Sequence, residues 1–182
     1  MMKLHKLVGL VVCGWLSWTG TVHADAVTDW HAIAVKERVM RSKENINTML
    51  DIFGAIERRD ERRFLALVHP DVEMHWPPSL PYGGTAQGLQ QETWSATWGP
   101  LQPTEAERRM EPRVVAASEE EIVVLWHQRG ITPAGDRFDG EVLGLYRVHG
   151  GKLTRAQMFY FDTTALLSFL AKAKSQATAP QP

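Results

Sequence analysis

Apolar residues recur along this chain with two different periods, and the switch between them divides it into a helical first half and a strand-rich second half. From Asp25 to about Arg41 the spacing of Val27, Trp30, Ile33 and Ala34 is helical, although weakly capped, and predicts a helix or a loose arm. Ser42 is placed as the N-cap of the next helix, in which Ile46, Met49, Leu50, Phe53 and Ile56 fall three and four residues apart and make one apolar face. Asp60 then caps a short helix carrying Phe64, Leu65, Leu67 and Val68, and His69-Pro70-Asp71 stops it. Val72 to Trp76 alternates as a strand does, and Pro77-Pro78 breaks it. Leu89 to Trp98 reads as a further helix.

Beyond Pro103 the pattern shortens. Arg113 to Ala117, Ile122 to Arg129, Arg137 to Val148 and Leu153 to Phe161 read as strands. Glu119-Glu120, Pro133-Ala134-Gly135 and Gly150-Gly151 are the turns between them. Strands so close in sequence pair antiparallel. Gly130, Gly140 and Gly144 are the expected bends of a curved sheet. Asp162 or Thr163 caps a last helix from Thr164 to about Lys174, and Ser175 to Pro182 is expected to be a disordered tail. Helices, then an antiparallel meander, then one helix make an α+β domain over residues 43–174, preceded by an arm or helix at 25–42.

The first 24 residues carry a different message. Lys3 and Lys6 precede the short apolar run Leu7 to Leu16, and Val22-His23-Ala24 is a site of the kind signal peptidase accepts. The expectation is a signal peptide cleaved after Ala24 and a periplasmic or secreted product. Cys13, the single cysteine of the 182 residues, would leave with it. Without Lys3 and Lys6 the formal net charge of −1 becomes −3. That mild balance, with no basic stripe, argues against nucleic acid and against a membrane surface as partners after cleavage. The histidines beyond Ala24 are scattered, and no carboxylates cluster at ligand spacing, so no metal and no cofactor is expected.

Several segments together resemble the SnoaL-like branch of the nuclear-transport-factor-2-like superfamily over roughly Asn45 to Lys172. They are Phe53 to Glu61 followed by Ala66-Leu67-Val68-His69-Pro70-Asp71-Val72, then Pro81-Tyr82-Gly83-Gly84-Thr85, then Asp139 to Val148 with Gly150-Gly151-Lys152-Leu153 and Phe159-Tyr160-Phe161-Asp162. The resemblance implies a cone: a curved antiparallel sheet wrapped around helices, with a pocket for a small hydrophobic molecule of aromatic, terpenoid or polyketide-like character. It also implies a homodimer. Superfamily members include ketosteroid isomerases, polyketide cyclases, epoxide hydrolases, dehydratases and non-enzymatic binding or assembly domains, so the fold leaves function open, and an isomerase, cyclase, dehydratase or lyase stands beside a non-catalytic binding or scaffold protein.

Alignment by eye turns Met74 and Trp76 into the pocket, then Leu125, His127 and Arg129, then Val142, Gly144 and Tyr146, and finally Met158 and Tyr160. The catalytic positions of the relatives are mostly lost. The ketosteroid isomerases' tyrosine, base and oxyanion acid fall at Ile52, Trp76 and Gly144, none of which can move a proton or bind an oxyanion. The epoxide hydrolases' arginine and two aspartates fall at Leu125, His127 and Met158. What remains is His127 as a general base, with Tyr160 as a hydrogen-bond donor and Arg129 nearer the rim. Two readings stay open: a cofactor-free enzyme using His127 and Tyr160, or a binding protein in which His127 is a satisfied polar residue. Met74, Trp76, Leu125, Arg129, Val142, Tyr146 and Met158 are the substrate-binding candidates in either case. His75 and Glu73, opposite in parity to Trp76, are expected on the outer face.

Overall fold

The computed structural model describes residues 24–88 and 92–178. All but Ala24 of the expected signal peptide lies outside them. The described residues open with one helix, α1 (Ala24–Arg58), rather than two. Ser42 is interior to it and caps nothing, because no glycine or proline interrupts the chain between Ala24 and Gly54. The C-terminal half of α1 buries Met49, Ile52, Phe53 and Ala55. Leu50 is the exception to the expected face, at 40% exposure. The N-terminal half leaves Trp30, Ile33 and Val35 exposed and reaches the domain through Arg38 and Arg41, both paired with Glu119.

Arg59, in the left-handed region at φ 56°, ends α1, and its guanidinium donates to the carbonyls of Gly99 and Gln102. Asp60 caps α2 (Glu61–Leu67) as expected, accepting from the Arg63 N–H at 2.9 Å. β1 (Val68–Trp76) then starts at Val68, earlier than the alternation suggested. β2 (Gly84–Gln87), α3 (Glu92–Trp98) and the single turn α4 (Glu105–Arg108) follow. Next come β3 (Arg113–Ala117), β4 (Glu121–Ile131), β5 (Arg137–His149) and β6 (Lys152–Tyr160). The last described element is α5 (Thr163–Thr178), whose N-terminus is capped by Asp162 through the Ala165 N–H at 2.8 Å. Ser175 to Thr178 continue this helix where a disordered tail is expected, and the rest of that tail lies outside the described residues.

The six strands form one sheet in the order β2-β1-β6-β5-β4-β3. Four of the five pairings are antiparallel, but β1 and β6 run parallel, which corrects the purely antiparallel expectation. Gly150 and Gly151, both at positive φ, make the two-residue β5–β6 turn, whose twist suits the hairpin. Register shifts occur between Val114 and Ala116, between Arg147 and Val148, and between Val68 and Glu73. None falls at Gly130, Gly140 or Gly144: β4 and β5 pair without a break from Glu121↔Arg147 to Ile131↔Arg137. The helices cover one face of this curved sheet, and the core lies between them, built on Phe53, Val72, Trp98, Ile122, Val142 and Leu166.

Candidate functional site

Burial alternates along the unbroken β4–β5 ladder and fixes which side chains face the helices. On β4 the buried set is Ile122, Val124, Trp126, Gln128 and Gly130; on β5 it includes Val142, Gly144 and Tyr146. Directly paired residues share a face, and Trp126↔Val142 and Ile122↔Tyr146 agree. Met158 and Tyr160 on β6 and Met74 on β1 point the same way.

Between this face and the helices lies a cavity of about 70 Å³. α1 contributes Met49, Ile52, Phe53 and Ile56, and α2 contributes Phe64. Met74 and Trp76 come from β1, Trp94 from α3, and Met110 from the segment before β3. The sheet adds Trp126, Tyr146, Leu153, Ala156 and Met158. Each of the four methionines that follow Met40 in the sequence lines this space. Trp126 and Tyr146 both pack against Phe53, with centroids 5.9 Å apart in each case.

The cavity is sculpted by a glycine. A Cβ at Gly144 would sit 2.2 Å from the Tyr146 hydroxyl and 2.3 Å from two of its ring carbons. The Tyr146 ring therefore lies folded over its own strand, filling the space that a side chain at 144 would take. Burial pushes the Tyr146 phenol well above its ordinary pKa, and the nearby Trp126 indole tempers that only in part. Burial likewise raises Tyr160, reinforced by Tyr82, whose hydroxyl lies 3.3 Å from that of Tyr160. Tyr82 is raised by burial too, tempered by its hydrogen bond to Tyr160 and by the nearby Trp98 indole. All three phenols are neutral donors near neutral pH. Among the described residues no carboxylate, imidazole, ammonium or guanidinium belongs to the lining.

Of the residues expected at the pocket, Met74, Trp76, Tyr146 and Met158 line it. Val142 and Tyr160 point inward but are packed behind the lining. Leu125, His127 and Arg129 are on the opposite face of β4, one residue out of phase with the expectation. The reason is the two-residue period of a strand, in which a slip of one exchanges the faces completely. His127 Nδ1 is 2.6 Å from Asp139 Oδ1 on the outer surface. Arg129 donates through Nε to Asp139 Oδ2 at 2.8 Å and through Nη2 to Glu111 Oε2 at 2.8 Å. Burial raises the Asp139 carboxyl, but its bonds to Arg129 and His127 win and hold it below the usual aspartate range. His75 and Glu73 are outside as expected, His75 Nδ1 lying 3.1 Å from Thr85 Oγ1. Residues missed as pocket-formers include Met110, in a segment with no periodicity, and Trp126, which the correct β4 phase would have found. Among the described residues no three His, Cys, Asp or Glu groups gather where a metal could be held, and no helix is long and apolar enough to cross a membrane.

The profile of the SnoaL-like domain matches residues 49–156. The chain belongs to the SnoaL-like domain family. Its fold is shared with solved structures of low sequence identity. TerC, co-crystallised with polyporic acid, is 22% identical with a TM-score of 0.59 over 70% of this chain and 98% of its own. Bal32a, from a soil-derived mobile gene cassette, is 13% identical with a TM-score of 0.61 over 71% and 98%. An NTF2-like protein from Burkholderia xenovorans is 23% identical with a TM-score of 0.54 over 72% and 96%. These likenesses establish the cone fold. No curated protein matches the chain significantly. Within this SnoaL-like domain the cavity occupies the expected hollow between sheet and helices, and the histidine does not enter it.

Proposed function

We propose that this SnoaL-like protein binds a small, flat, apolar molecule in the Met- and aromatic-lined pocket and does no acid–base chemistry on it. The observation that carries the reading is the lining itself: four methionines and six aromatic side chains, with no ionisable group among the described residues except a phenol held protonated. A general base must come within hydrogen-bond reach of the proton it takes. His127 is across the sheet from the pocket, which favours binding over the isomerase, cyclase, dehydratase or lyase reading. The volume sets a further limit. A cavity of roughly 150 Å³ admits benzene, and about 70 Å³ does not hold a terpenoid or polyketide as it stands. Entry requires the lining to yield, and unbranched methionines are the side chains that yield at least cost. The co-crystallisation of TerC with polyporic acid is a parallel for small-molecule binding on this fold.

The test has two arms. Native mass spectrometry of the protein from its own source should find a compound that is released unchanged. Benzene, indole and naphthalene should raise the melting temperature with concentration as mass action requires, and Met158→Trp, which fills the space, should abolish the shift. No shift with any probe and no co-purifying compound refutes the reading.

Export belongs to the same proposal and is supported by Lys3, Lys6, the Leu7 to Leu16 run and Val22-His23-Ala24; the mature N-terminus should be Asp25. A homodimer is supported by the outer cross-strand row Leu125–Leu143–Phe159, with Phe159 45% exposed. Sedimentation should show a dimer that Phe159→Glu dissociates.

A further inference from the structure

Buried polar atoms without hydrogen bonds are concentrated in one place. Among the described residues six such side-chain atoms occur, and four belong to Trp98, Trp126 and Gln128. Trp126 and Gln128 are successive inner positions of β4. Trp98 covers the next inner position, its ring 3.0 Å from where a Cβ on Gly130 would stand. Gln128 is completely buried, and neither its amide nitrogen nor its amide oxygen is bonded. Next to this row the Tyr160 ring stands edge-on to Trp126, centroids 6.5 Å apart. Trp126 itself lines the pocket, so the row begins at the pocket wall.

A buried amide with both ends unused costs free energy that an apolar side chain of similar shape would not. Its chemistry says what would use it. The two indoles are donors only, the Gln128 nitrogen carries two N–H bonds, and the Gln128 oxygen is the one acceptor in the row. Donors therefore outnumber acceptors, and none of them is charged. We infer that Trp126, Gln128 and Trp98 form the polar end of the pocket and recognise a neutral carbonyl oxygen, of a ketone, aldehyde or quinone, on the flat ligand, with Gln128 setting the preference. This rests on the pocket reading above. The upward shift of the neighbouring phenols shows that the surroundings disfavour an anion, which agrees with a neutral acceptor.

Acetophenone and α-methylstyrene have nearly the same shape and differ in carrying C=O or C=CH₂, so they isolate the oxygen. Wild-type protein should bind acetophenone about tenfold more tightly, the worth of one to two net hydrogen bonds. Acetophenone, unlike α-methylstyrene, should move the indole N–H resonances of Trp98 and Trp126, assigned with single Trp→Phe variants. Gln128→Met should bring the affinity ratio close to one by weakening acetophenone binding, and Gln128→Leu serves if the methionine variant does not fold. Equal wild-type affinities, or an unchanged ratio in the folded variant, overturn the Gln128 assignment and leave the pocket reading standing. If neither probe binds wild-type protein, the pocket reading falls and this inference falls with it.

Discussion

Replacing Gly144 with alanine should damage the fold chiefly through one neighbour, Tyr146. The added Cβ would lie 2.2–2.3 Å from the hydroxyl and two ring carbons of Tyr146, and its three nearest atoms all belong to that residue. Carbon atoms prefer about 3.5–4.0 Å, so the overlap exceeds what small adjustments absorb. The ring has little room to turn, because it is buried and meets Phe53 edge-on at 86°. Overpacking of this kind costs about 1–3 kcal/mol, against a backbone gain of about 0.5–1 kcal/mol from removing a strand glycine. The net loss is up to about 2.5 kcal/mol, a fall in melting temperature of up to about 10 °C for a domain of this size. The decisive measurement is a double-mutant cycle with Tyr146→Leu, which lacks the colliding atoms. In that background Gly144→Ala should be neutral or stabilising, giving a coupling of about 1–3 kcal/mol by urea unfolding. An equal loss in both backgrounds would show that Tyr146 does not lie over Gly144.

Two further outcomes follow from the outer face of the sheet. His127→Ala should leave the binding of indole or naphthalene unchanged by fluorescence titration, since the ring is not in the pocket; a loss of binding would return the histidine to the site. Asp139 has a folded pKa below its unfolded value, so its contribution is present above the unfolded pKa and is lost as pH falls through that value and below. Between about pH 5 and pH 2 the melting temperature of wild type should therefore fall more steeply than that of Asp139→Asn.

The sequence carried most of the fold because its signals were local. The Met49, Phe53 and Ile56 spacing identified the packed part of α1, Asp60 and Asp162 identified two caps, and Gly150-Gly151 identified the hairpin turn. The site was less legible because β4 is apolar on both faces. Val123 and Leu125 alternate with Ile122, Val124 and Trp126, so hydrophobicity alone gives no phase. Pairing supplies it: once Tyr146 and Val142 are inward, Ile122 and Trp126 must be, and His127 cannot. Gln128 was hidden by the same slip. β2, four residues long, carries no pattern of its own and exists only by pairing with β1.

The parallel union of β1 with β6 has a consequence for how the chain comes into being. Met74 meets Ala156, and these positions are separated by about half the polypeptide. The stretch from β3 to β6 can zip together through neighbouring strands, but the β1–β2 pair has nowhere to dock until residue 160 is available. A nascent chain thus stays open at its seam until β6 has arrived, and the hollow comes into existence only with that last closure.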